Sequence, residues 1–76
     1  MIEAVFISYE DGYFKFLFET GEDMAFEEVH PRALKQFDLK NDESLIGKSF
    51  RVSYIEVVDS SDEDLVFYRV ESLKPL

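Results

Sequence analysis

The chain has 76 residues, with 17 Asp and Glu against 8 Lys and Arg, and a net charge of −9. That length holds one small domain, residues 1–76, and no second. Cysteine is absent and His30 is the sole histidine, which excludes disulfides, thiolate chemistry, Cys-ligated zinc or iron–sulfur centres and any multi-His metal site within one chain.

Eight Phe and four Tyr are far more aromatic surface than a disordered acidic tail carries. The chain is therefore expected to fold, with most of these rings in its core. The N-terminal Met1-Ile2-Glu3-Ala4-Val5 has neither the basic region nor the long apolar stretch of a secretory signal. No apolar run approaches the ~20 residues that cross a bilayer. A soluble, cytoplasmic protein without membrane contact is the expectation.

Met1 to Glu10 is rich in β-formers, and Tyr13-Phe14-Lys15-Phe16-Leu17-Phe18-Glu19 alternates cleanly. Asp11-Gly12 between them predicts a hairpin with a two-residue turn, because both central residues of a type I′ turn take positive φ. Strict pairing sets Glu10 opposite Tyr13, Tyr9 opposite Phe14, Ile7 opposite Phe16 and Val5 opposite Phe18. Val5, Ile7, Tyr9, Phe14, Phe16 and Phe18 then form the core face. Phe6, Tyr13, Lys15 and Leu17 fall on the outer face. A longer loop bulged at Gly12 would instead bring Ala4, Phe6 and Ser8 opposite the Phe row, a poorer core.

Thr20-Gly21-Glu22-Asp23 reads as a second turn and Met24 to Val29 as a third strand. His30 to Phe37 changes period: Pro31 suits a first helical position, and Leu34 and Phe37 lie three apart, predicting a helix of about two turns. Asp38 to Lys48 is a polar connector. Ser49 to Val58 is a fourth strand with Phe50, Val52 and Tyr54 inward, and its pattern breaks near Ile55, as at a bulge or where both faces become covered. Asp59-Ser60-Ser61-Asp62-Glu63-Asp64 is an acidic hairpin loop, Leu65 to Leu73 a fifth strand, and Lys74-Pro75-Leu76 a frayed end.

Five short strands with one helix between the third and fourth make a mainly β chain whose element order resembles the OB-fold, a partly open five-stranded barrel. An SH3-like barrel is the alternative. Gly47-Lys48-Ser49-Phe50-Arg51-Val52-Ser53-Tyr54, followed by the acidic loop and Phe67-Tyr68-Arg69-Val70-Glu71-Ser72-Leu73, resembles short uncharacterised bacterial proteins. That resemblance implies a fold and no activity.

The OB-fold resemblance implies binding of single-stranded nucleic acid, or of oligosaccharide, on the outer barrel face, with Phe6, Tyr13, Lys15 and Phe26 as stacking platforms. Charge argues against nucleic acid, since a field of −9 repels phosphate and the basic residues are scattered apart from Arg32, Lys35 and Lys40 around the helix. The acidic loop lacks the central Gly and closing Glu of a Ca²⁺ loop. The three glycines lie apart, so no phosphate-binding loop exists, and His30 before Pro31 suits a helix start better than a catalytic base. No enzyme activity, metal or cofactor is expected. The remaining expectation is a noncatalytic protein-interaction or accessory module, monomeric or weakly dimeric, binding through Phe6, Tyr13, Lys15 and Leu17.

Overall fold

The computed structural model describes residues 2–76. It is mainly β: β1 (Ile2–Glu10), β2 (Tyr13–Phe18), β3 (Asp23–Phe26), β4 (Glu28–Val29), helix α1 (Pro31–Gln36), a 3-10 turn at Glu43–Leu45, β5 (Ser49–Asp59) and β6 (Asp62–Pro75). All six strands join one sheet in the order β3-β2-β1-β5-β6-β4. The expected third strand is therefore two strands, interrupted at Glu27, whose halves pair with opposite ends of the sheet. β3 is antiparallel to β2, and β4 is parallel to β6.

The expected five-stranded barrel is thus corrected to a six-stranded sheet that is not closed by hydrogen bonds: β3 and β4 are its two edges. Only Glu27 separates those edges along the chain, so the sheet must curl. The core confirms the curl. Phe26 on β3 and Tyr54 on β5 lie three strands apart, about 14 Å on a flat sheet at normal strand spacing, yet their ring centroids are 5.3 Å apart.

The Asp11-Gly12 turn forms as expected, with φ of 53° and 83°, and Tyr9↔Phe14 and Glu10↔Tyr13 pair as derived. Beyond Ser8 the strict register fails. A bulge between Phe6 and Ser8 leaves Phe6 opposite Phe16 and Ala4 opposite Phe18. The cause lies on the other side of β1, where the Phe6 amide donates to the Lys48 carbonyl (2.9 Å) and the Gly47 amide donates to the Phe6 carbonyl (2.8 Å). Gly47 reaches this position with φ of 86°, a conformation that other residues resist. Both backbone groups of Phe6 being so held, Ile7 becomes the extra residue. The core face is Ala4, Phe6, Phe14, Phe16 and Phe18, all buried, while Ile7 faces solvent.

Phe6, Phe16, Phe26, Phe50, Val52 and Val70 are the largest fully buried side chains. Rings connect through the interior: Phe6–Phe16 at 5.3 Å, Phe16–Phe26 at 5.8 Å, Phe26–Tyr54 at 5.3 Å and Tyr54–Tyr68 at 5.9 Å. Such offset and edge contacts add to the burial of each ring. The helix covers one end of this core with Ala33 buried and Leu34 and Phe37 packed against it, Phe37 meeting Phe50 at 5.1 Å. The Lys74-Pro75 segment expected to fray is instead the end of β6, opposite Arg51 and Phe50.

Candidate interaction surface

The structure divides the residues expected to bind. Phe6 is fully buried and is corrected from a surface residue to a core residue. Tyr13, Lys15 and Leu17 do share the outer face of β2, with Tyr13 and Leu17 exposed. Lys15 Nζ is paired at 3.3 Å with Glu10 Oε2. A shallow cleft of about 220 Å³ opens beside Leu17, lined also by Ala4, Val5 and Phe18. Without Phe6, this patch is a row of two apolar side chains around an ion pair. Phe26, the other candidate platform, is also fully buried.

A larger surface lies at the far end of β5 and β6. Among the described residues, β1 pairs with β5 from Ser49 to Val52. β4 pairs with β6 only at Arg69 and Val70. After a bulge between Ser53 and Tyr54, the pairs Tyr54↔Val70 and Ile55↔Arg69 form the base of an arm beside β4, and past these limits β5 and β6 continue two-stranded through Glu56↔Tyr68, Val57↔Phe67 and Val58↔Val66. The break expected near Ile55 is this bulge, and the faces beyond it are open rather than covered. Paired residues share a face and neighbours alternate. Tyr54, Glu56, Val58, Val66 and Tyr68 therefore lie on the side continuous with the core, and Ile55, Val57, Phe67 and Arg69 on the other.

Both sides are apolar and open. Val58 and Leu65 are 54% and 56% exposed, and Ile55, Val66 and Tyr68 are exposed too. A solvated hairpin alternates apolar with polar, and its outward residues need no partner. This one presents five large exposed apolar side chains divided between two faces. The Phe26–Tyr54 and Tyr54–Tyr68 contacts link the arm's base to the aromatic core. The overall extents, 37 × 26 × 21 Å, are elongated.

The tip is acidic and ordered by its own side chains. Asp59 Oδ1 accepts from the Ser61 amide (2.8 Å) and from Ser61 Oγ (2.7 Å), and Asp62 Oδ1 accepts from the Asp64 amide (3.0 Å). The Ser61 hydrogen bonds, hydroxyl first, hold the Asp59 carboxyl below its ordinary value. Against Glu56, Asp59, Asp62, Glu63 and Asp64 the arm carries one cation, Arg69. Its guanidinium is engaged by Glu71 Oε1 at 2.8 Å and by Glu28 at 3.9 Å.

Among the described residues, two features of the side chains bear on reactive chemistry. No group of three His, Asp or Glu is placed to hold a metal ion, and no polar or charged side chain is buried. His30 caps α1, its Nδ1 accepting from the Arg32 amide at 3.1 Å. No helix among the described residues is long and apolar enough to cross a membrane. Comparison with known proteins finds no family model, no curated protein and no solved structure that matches this chain.

The arm was obscured in the sequence because its strands are apolar at consecutive positions, Val57-Val58 and Leu65-Val66-Phe67. Consecutive apolar residues read as a strand covered on both faces. The usable signal was the acidic turn directly between two such runs: so charged a tip stays in water and keeps the flanking residues near it.

Proposed function

We propose that this chain is a noncatalytic protein-interaction module whose working surface is the β5–β6 arm, carried on a curled sheet of OB-like connectivity. The carrying observation is the arm itself: exposed apolar side chains on both faces of a hairpin anchored to the core through Tyr54 and Tyr68. Interfaces of this kind combine an apolar centre with a charged rim, which the acidic tip supplies. The connectivity that supports the OB-like reading is the β1-β2-β3 meander, β5 antiparallel to β1, and the β3–β4 segment passing from β2 to a parallel pairing with β6.

Single-stranded nucleic acid is the less favoured ligand of such a fold here. Lys15 and Arg69 are committed to carboxylates, Phe6 and Phe26 cannot stack on bases from the core, and the net charge repels phosphate.

The test is capture from source-cell lysate by three folded baits: wild type, Val58→Lys/Leu65→Lys, and Leu17→Asp. The expected result is a partner held by wild type and Leu17→Asp and lost by the arm variant. Loss with Leu17→Asp alone would return the surface to the outer face of β2. Equal background with all three would remove the interaction reading.

A further inference from the structure

The arm is more than an apolar patch, because its strands also have open backbone edges. Among the described residues, nothing pairs with β5 beyond Val52 on the side that β1 occupies, or with β6 from Asp62 to Tyr68 on the side that β4 occupies. An unpaired strand edge is a template for another strand, and natural proteins usually protect it with charged residues, lysine above all, with proline, bulges or a covering element. This arm has no Lys or Pro between Tyr54 and Tyr68, and its charges there are all acidic, so they oppose an acidic strand and not a basic one. The head of the β6 edge is taken by β4 and its approach through Glu27. The β5 edge instead begins in an open cleft of about 470 Å³ lined by Ile2, Val52, Ser53 and Tyr54. A strand laid along it would prolong the track of β1.

The charge pattern states what that strand must be. Along Tyr54-Ile55-Glu56-Val57-Val58-Asp59 the acids stand three apart, one on each face of the arm, with apolar residues between. Opposite-charge cross-strand pairs are favourable and like-charge pairs are not. A second copy of this edge would set carboxylates against an arm that already holds five acids and one neutralised Arg. Resting on the reading of the arm as the partner surface, we propose that the β5 edge takes up an extended basic segment of another protein as an added strand. That segment has Lys or Arg at two positions three apart and β-branched or aromatic residues around them. The period-three spacing holds for either strand direction, since Glu56 and Asp59 are met in either order. Main-chain hydrogen bonds would supply affinity and the two basic residues selectivity, as in other strand-addition complexes.

The experiment selects random dodecapeptides from a display library against the whole chain. The winners are then measured as labelled peptides by fluorescence anisotropy at low and high salt. Expected are peptides with basic residues three apart among β-formers, affinity falling with salt, and a loss of about three- to tenfold with Glu56→Lys, the scale of one reversed cross-strand pair. Amide exchange on the wild type should slow within Tyr54 to Val58 when the best peptide is added, a readout that requires no variant to fold. Peptides without basic residues that still protect the arm would overturn the strand-and-charge inference and leave the arm as a partner surface. Peptides protecting another face would overturn both readings. An absence of enrichment, or sedimentation showing dimers that Glu56→Lys strengthens, would overturn the inference by leaving the edge unused or giving it to a second copy.

Discussion

The bulge in β1 can be tested by comparing two neighbouring truncations, Phe6→Ala and Ile7→Ala. Strict alternation puts Ile7 in the core and Phe6 in water, whereas the structure has Phe6 fully buried against Phe16 and Ile7 37% exposed. Removing a buried Phe side chain costs about 3–5 kcal/mol, transfer and cavity together. Ile7 loses fewer carbons from a partly wet site, for about 1 kcal/mol. At about 2.1 cal/mol/K per residue, a 76-residue domain has an unfolding entropy of about 160 cal/mol/K, so each kcal/mol moves the midpoint by about 6 °C. Phe6→Ala should lower Tm by roughly 20–30 °C and Ile7→Ala by roughly 6 °C. Total stability for a chain of this size is on the order of 4–11 kcal/mol, so Phe6→Ala could leave the chain unfolded at room temperature. Far-UV circular dichroism during thermal and urea unfolding measures both. An Ile7→Ala loss equal to or larger than that of Phe6→Ala would refute the bulged register.

Gly12→Val forces a β-branched residue to φ near 83°, and should cost about 1–2 kcal/mol in the same thermal assay. Val58→Lys/Leu65→Lys touches only exposed positions, so each change should stay within about 0.5 kcal/mol and the fold should persist; a cooperative collapse would show the arm to be part of the core. The Asp59 carboxyl is held below its ordinary value, so its turn contacts stabilise the folded state above about pH 3.9, the unfolded aspartate value, and are lost as pH falls through the lower folded pKa. The Ser61 amide resonance should titrate with a midpoint below that ordinary value, and Asp59→Asn should abolish the transition. A single-stranded oligonucleotide should give no mobility shift even at low salt; binding that weakens steeply with added salt would restore the nucleic-acid reading.

Element order and the first turn were legible from the residues because local rules govern them. Asp11-Gly12 between alternating runs, Pro31 opening a helix and the Phe50-Val52 alternation all appear where the pattern placed them. What was illegible depends on contacts distant in sequence. The Phe6 bulge is set by Gly47 and Lys48, some forty residues downstream, and a one-residue slip exchanges the two faces of a strand. The division of the third strand at Glu27 likewise depends on two different partners, β2 and β6, competing for one short segment. Of the expected site, Tyr13, Lys15 and Leu17 stayed at the surface and Phe6 did not, for that same slip.

The acidity of the chain acts on the arm in two ways at once. An exposed apolar hairpin with free edges is an aggregation hazard, and repulsion between tips bearing Asp59, Asp62, Glu63 and Asp64 opposes the edge-to-edge pairing of identical copies. The same charges do not oppose a basic strand. If the arm takes up a basic strand as proposed, one feature disfavours self-association and favours that partner, which would be specificity obtained by penalising the wrong complex as much as by stabilising the right one. It is also consistent with Val57-Val58 and Leu65-Val66-Phe67 standing open: the charge that opposes pairing of identical copies is acidic, on Glu56 and at the tip, whereas lysines along the strands would repel a basic strand and favour an acidic one.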